Sequence, residues 1–220
     1  MQPKKLLLFD FDGTVQDNSE GIFNCVRYAA DKNGFPRPDA ETLRRFVGPP
    51  LYDSFRRYCG ADHETALAMV DSYRERYRPI GTTEAVLYPN VKETLAALKA
   101  EGRILAVCSG KPQEFVEKIS KMLGIHELFS GFYCPSLKDT TLEKADYILK
   151  AIADFGVTRN ETLMIGDTKS DILAAKKAGV EALGVTYGFA APGELEAAGT
   201  DFYADSVSGI YTAVTGKALI

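Results

Sequence analysis

The sequence has no tryptophan, only two histidines (His63 and His126), and four cysteines with no CxxC pair among them. Two distant imidazoles are little material for a histidine-built zinc site. Cys25, Cys59, Cys108 and Cys134 are scattered, the spacing of reduced thiols rather than of a disulfide framework. Long apolar runs are missing too. The N-terminal one, 6–9, has four residues, short of the roughly 7–15 of a signal-peptide core. Nothing approaches the roughly 20 apolar residues of a membrane span, so a cytoplasmic chain without membrane contact is expected. Nor is there an excess of positive charge: 26 Lys and Arg stand against 30 Asp and Glu. That balance argues against a nucleic-acid polymer as partner, which needs a cationic surface. Oligomeric state is not legible.

What is present is an ordinary globular composition, 45% hydrophobic and 25% charged over 220 residues. A chain of this length buries roughly 70% of its unfolded surface and needs no disulfide or structural metal to fold. Short apolar runs at 5–9, 104–108, 162–165 and 182–186, with a weaker one at 132–134, alternate with helical patterns at 91–101, 113–123, 142–155 and 172–178. This alternation predicts an α/β fold, a Rossmann-like parallel sheet with helices on both faces. Ala145, Ile148, Leu149 and Ile152 make one stripe, expected to face the sheet.

The rhythm breaks after the first strand, where 15–86 reads as helices alone. Asp17 and Glu20 suggest a capping box for the helix ending near Asn33. Further helices are expected at 42–47, 51–58 and 62–77, around Gly48-Pro49-Pro50. An all-helical block inserted after one strand reads as a small cap domain, 16–85, with 1–15 and 86–220 as the core.

Four segments carry candidate chemistry. Asp10-Phe11-Asp12-Gly13-Thr14 directly follows the first strand, and alternation puts both acids on one side at the strand's carboxyl end, where open α/β sheets bind ligands. Two close carboxylates repel, and a divalent cation, a shared proton or both relieve them. An Asp-Gly turn is the plainer alternative. Gly166-Asp167-Thr168-Lys169-Ser170-Asp171 follows the 162–165 strand. Capping by Thr168 with Asp171 at the third helical position accounts for Asp171 but leaves Asp167 unexplained. In Cys108-Ser109-Gly110-Lys111-Pro112, a hydroxyl and free N–H groups before a helix starting at Pro112 make a phosphate cradle, or a simple Ser cap. Lys144 lies in a first helical turn, where the dipole disfavours a cation and a nearby anion would explain it. Lys111 is its main rival, ahead of Lys138; either lysine could instead be solvated.

All four segments deliver to one edge of one sheet. Asp10, Asp12, Asp167 and Asp171 bring about −4 against +1 from one lysine, untenable in a closed cleft. One Mg²⁺ leaves about −1, and a proton on Asp12 brings the sum near zero, the state a general acid requires.

DxDGT, a Ser after the second core strand, a downstream Lys and GDxxxD together resemble the haloacid dehalogenase superfamily over essentially the whole chain. The helical insertion, Cys108-Ser109-Gly110-Lys111-Pro112 and Phe46-Val47-Gly48-Pro49-Pro50-Leu51 resemble its phosphoglycolate phosphatase-like branch and bacterial 5′-nucleotidase-like relatives. The resemblance implies a Mg²⁺-dependent phosphatase acting on a small phosphorylated metabolite. Asp10 would be the nucleophile and Asp12 the general acid and base. Mg²⁺ would bind the Asp10 carboxylate, the Asp12 main-chain carbonyl and Asp167, with Asp171 supporting. Ser109, Gly110 and Lys144 would hold the phosphoryl group, although 136–142 departs from the Gly-rich run usual before that lysine. An acid at Asp12 separates the chain from dehalogenating relatives. The alternatives are a phosphomutase of the same superfamily, a phospho-acceptor regulatory module of receiver type, and an idle binding protein. In the cap, Arg44, Arg45, Arg56, Arg57, Tyr52, Phe55 and Tyr58 are open between substrate contacts and packing, and Gly48-Pro49-Pro50 is the expected specificity loop.

Overall fold

The structure, a computed structural model, describes residues 2–138 and 141–219. The chain forms two compact units, one of residues up to 16 together with those from 87 onward, the other 17–86. Short strands β2 (Gln16–Asp17) and β3 (Val86–Leu87) mark the two crossings.

The first unit is built on β1 (Leu6–Phe9), β4 (Ile104–Cys108), β5 (Gly131–Tyr133), β6 (Thr162–Gly166), β7 (Glu181–Val185) and β8 (Phe202–Ala204). They make one parallel sheet in the order β5-β4-β1-β6-β7-β8. All four residues of β1 are buried, which is why it reads as a continuous apolar run rather than an alternating one. One face, carrying Leu6, Leu8, Ala106, Cys108, Met164 and Ala182, packs against Ala145, Ile148 and Ala151 of α7 (Lys144–Phe155), and against α8 (Lys169–Ala178) and α9 (Glu194–Ala198). Leu149 and Ile152 flank the same cluster, so the predicted stripe does face the sheet. By alternation Leu7, Phe9, Leu105 and Val107 take the opposite face. There α5 (Val91–Ala100) packs on β4, and α10 (Val207–Thr215) on β7 and on α5. α6 (Gln113–Met122) lies against β5. Gly156 and Gly179 stop α7 and α8 in left-handed conformations at φ 63° and 72°.

The segment after Thr186 received no element from sequence; it holds α9, β8 and α10, the first two only five and three residues long. Elements that short carry too few turns for periodicity to register. Helix α6 begins at Gln113, where its apolar pattern begins, and Pro112 is its cap residue rather than its first helical residue.

The second unit comprises α1 (Ser19–Lys32), α2 (Ala40–Arg44), α3 (Leu51–Cys59), α4 (His63–Tyr77) and a 3₁₀ turn at Gly81–Thr83. α1 packs along α4, where Tyr73 and Tyr77 stack at 5.3 Å. A side chain on Gly21 would strike the carbonyl of Gly81, so glycine permits that approach. The predicted capping box of α1 does not form. Asn18 is the cap residue, Asp17 accepts instead from the Ser19 N–H at 2.9 Å, and Glu20 accepts from Asn24 at 3.1 Å. Phe55 is core, edge-on to Phe46 at 5.2 Å. Arg45 and Arg57 flank the Tyr58 ring at 5.9 and 5.6 Å, Arg56 lies 5.9 Å from Tyr52, and all three arginines are exposed with Arg44. No helix among the described residues is long and apolar enough to cross a membrane.

Candidate active site

Strand register aligns the site. Phe9 pairs with Val107 of β4 and Ile165 of β6, so the chain runs off three adjacent strands at Asp10, Ser109 and Asp167 within about one residue of each other. The Asp10 N–H donates to the Ile165 carbonyl at 2.8 Å, continuing the ladder one step past β1.

Asp167 is fully buried. Its Oδ1 accepts from the Thr14 hydroxyl at 3.2 Å and its Oδ2 from the Phe189 N–H at 2.8 Å. Gly13, at φ 83°, and Gly188 close in on this carboxylate, and a Cβ on either would overlap it. Asp171 is also fully buried and has two tasks. Its Oδ2 accepts from the Thr168 N–H and hydroxyl at 3.0 and 2.9 Å, the predicted cap of α8, while its Oδ1 accepts from Lys144 at 2.5 Å. Lys144 is the first residue of α7, and its Nζ also lies 3.0 Å from Asp10 Oδ1. The cation at an unfavourable helix end is thus explained by two buried acids. Residues 139 and 140 of the approach to it lie outside the described residues.

Asp12 lies near enough for its charge to act on Asp10, but past the end of the strand. The chain turns after β1, with the Val15 and Gln16 N–H groups bonding back to the Phe11 carbonyl, so strand alternation does not reach Asp12. Its Oδ2 accepts from Lys111 Nζ at 2.8 Å, and its Oδ1 from the Gln16 amide. The two rival lysines therefore both enter the site, each on a different acid. Four carboxylates and two ammoniums sum to about −2, where one lysine would leave about −3. With a divalent ion the count no longer demands a proton on Asp12. Ser109 is buried; its hydroxyl bonds the Asp10 carboxylate and accepts from the Lys111 N–H at 3.3 Å. A Cβ on Gly110 would meet open space, so packing does not require glycine there.

Burial pushes the Asp10 carboxyl up to about 6, against the pull of Lys144 and with Asp171 adding to the rise. Burial, then the charges of Asp171 and Asp10, push Asp167 well above the usual carboxylate range. For Lys144 burial disfavours the charge, but Asp10 and Asp171 more than offset it and hold the ammonium. Asp10, Asp167 and Asp171 each place a carboxylate oxygen within 4.8 Å of the others. Such an all-oxygen donor set, with Asp10 and Asp167 held above the ordinary carboxylate range, fits a hard divalent cation. Asp171 gives one oxygen to the Lys144 ammonium, whereas both oxygens of Asp167 accept only from neutral donors, the Thr14 hydroxyl and the Phe189 N–H.

Sequence reasoning missed Gln16 and the 187–189 loop. Gln16 carries no motif signal; Gly188 and Phe189 reach Asp167 only through the tertiary fold. Tyr187 donates to the Thr14 carbonyl at 2.7 Å and ties that loop to the turn after β1.

A parallel sheet whose central strand ends gather buried acids, two lysines and a hydroxyl defines an α/β enzyme core of the phosphate-handling kind. The family model described as haloacid dehalogenase-like hydrolase matches residues 7–185. A 5′-nucleotidase of Pseudomonas aeruginosa is 36% identical over 191 residues, 87% of this chain and 86% of that protein. A phosphoglycolate phosphatase of Vibrio parahaemolyticus is 31% identical over 99% of both chains. The crystal structure of a predicted phosphatase from Clostridium acetobutylicum superposes with a TM-score of 0.90 at 32% identity, covering 98% of this chain and all of that one. The chain belongs to the haloacid dehalogenase-like hydrolase family.

Proposed function

We propose that this phosphoric monoester hydrolase is Mg²⁺-dependent and works through an aspartyl phosphate on Asp10. The observation that carries the reading is the meeting of Asp10, Asp167 and Lys144 at the ends of β1, β6 and the start of α7. Bound by the Asp10 and Asp167 carboxylates and the Asp12 main-chain carbonyl, Mg²⁺ supplies positive charge that offsets the gathered acids and the substrate phosphate. Asp171 acts in support by holding Lys144.

A carboxylate oxygen of Asp10 attacks phosphorus as the bond to the leaving oxygen breaks. Lys144, Ser109 and the Gly110 N–H hold the phosphoryl oxygens, and Lys144 keeps Asp10 ionised. Asp12 enters this step carrying a proton, as a general acid must. Asp12 gives that proton to the departing oxygen. It then takes a proton from water, whose oxygen attacks the same phosphorus. The bond from phosphorus to Asp10 breaks, releasing inorganic phosphate and leaving Asp10 ionised and Asp12 protonated.

The substrate class is a small phosphomonoester, phosphoglycolate-like or a 5′-nucleotide, on the strength of the relatives' names. In this reading the helical unit is the cap that selects it, Gly48-Pro49-Pro50 included, and the enzyme works in the cytoplasm. The decisive experiment is Mg²⁺-dependent release of phosphate from p-nitrophenyl phosphate by wild type and Asp10→Asn. Loss of at least about 10³-fold is expected, and wild-type turnover in the variant overturns the reading. A panel of phosphoglycolate, 5′-nucleotides, sugar phosphates and pyrophosphate assigns the substrate.

A further inference from the structure

Gln16 lies in the turn that carries Asp12, and every polar group on it but one is spoken for. Its N–H donates to the Phe11 carbonyl at 3.1 Å and its carbonyl accepts from the Gly13 N–H at 2.8 Å, with a β-bridge joining it to Asp12. The backbone of Gln16 is therefore fixed by the same turn that fixes Asp12. Its side chain is fully buried, and the amide NH₂ donates to Asp12 Oδ1. The amide oxygen has no hydrogen-bond partner among the described residues.

An orphaned buried carbonyl carries a desolvation cost that an apolar side chain of the same size would avoid. Turning the amide over to relieve it would aim oxygen at a carboxylate oxygen. The orientation is dictated by Asp12. The second oxygen of Asp12 accepts from Lys111 at 2.8 Å. One donor alone leaves the carboxylate plane free to turn, because the terminal torsion of aspartate is broad. Two donors on different oxygens fix it.

We infer that Gln16 is a positioning residue for proton transfer by Asp12, setting the plane of its carboxylate while Lys111 anchors the other oxygen. This rests on the aspartyl-phosphate reading above and adds to it a residue that touches neither phosphate nor metal. Gln16→Met keeps the volume and the Lys111 contact but frees the plane.

Proton donation matters in proportion to the basicity of the leaving group, so the test is a leaving-group series from p-nitrophenyl phosphate through phenyl phosphate to β-glycerophosphate. Gln16→Met is expected to lower kcat/KM by under about 3-fold on the nitrophenyl ester and by about 10–100-fold on the alkyl ester. Gln16→Glu, which removes the donor and adds a like charge, loses at least as much selectively. The ratio of two kcat/KM values cancels the concentration of folded enzyme, so partial unfolding does not disguise the outcome. Equal losses on all esters, or none, overturn the inference. Asp10→Asn and Asp12→Asn run in parallel separate the two failures: if both are inactive and Gln16→Met is unselective, only the role of Gln16 falls. If both retain wild-type activity, the phosphatase mechanism falls first.

Discussion

Lys144 and Asp171 form a buried ion pair at 2.5 Å between the first turns of two helices, with Asp171 wholly enclosed. The same ammonium reaches Asp10, so one lysine compensates two acids whose separate burial would be prohibitive. The pair connects the fold to the chemistry. It joins α7 to α8 and holds the charge of the proposed nucleophile.

Removing that lysine exposes the arrangement's cost. Lys144→Met is expected to lower metal-free stability by roughly 3–5 kcal/mol, because three gathered carboxylates lose their buried counterion. Millimolar Mg²⁺ should restore much of it, since an ion at the same acids replaces the missing charge. Urea unfolding with and without Mg²⁺ measures both. A variant as stable as wild type in chelator contradicts the electrostatic account.

The raised Asp10 carboxyl sets the pH dependence of the metal-free protein. Its folded value of about 6 exceeds the ordinary 3.8, so between about pH 4 and 6 the folded state holds a proton that the unfolded chain has released. Stability therefore falls as pH rises through this window, by roughly 2–3 kcal/mol from this group. Asp167, pushed up in the same sense, carries the fall to higher pH. Glu161, drawn down to about 2 chiefly by its bond to Lys5, acts oppositely and only at lower pH. Chemical denaturation from pH 4 to 8 in chelator should show the decline, and Asp10→Asn should flatten it.

The clasp on Asp167 predicts a change in metal affinity. Thr14→Val removes the hydroxyl that bonds Oδ1 and should weaken Mg²⁺ binding by about 3–10-fold, the worth of one modest hydrogen bond. Gly188→Ala should be worse, since its methyl overlaps Asp167 and the Gly13 carbonyl. Isothermal titration with Mg²⁺ alone reads both, independently of turnover. Unchanged affinity in Gly188→Ala would mean that the 187–189 loop does not position Asp167.

In the core, Leu8 of β1 sits between β4 and β6 with no exposure. Leu8→Ala should cost about 2–5 kcal/mol. Differential scanning calorimetry on the Mg²⁺-loaded protein gives the figure without the acid cluster's contribution.

Much of this was legible in the residues. The apolar runs gave β1, β4, β6 and β7 to within a residue or so, because central parallel strands are buried on both faces and show as uninterrupted hydrophobic segments. Asp10 and Asp167 were readable because an acid straight after such a run has no packing reason to be there. The stretch 15–86 reads as helices from its sequence, and the second unit, 17–86, holds α1 to α4.

What periodicity could not supply was partnership. The choice between Lys111 and Lys144 stayed open because both lie near helix starts; only the fold shows that Lys111 takes Asp12 and Lys144 takes Asp10 and Asp171. Asp12 lies past the end of β1, where the chain turns, so its donors, Lys111 and Gln16, could not be read from alternation. Gln16, Tyr187, Gly188 and Phe189 were invisible for the same reason. Local sequence encodes which backbone forms and which side it buries; a carboxylate's hydrogen-bond donors, drawn from residues up to 153 positions away, are chosen only when the sheet closes.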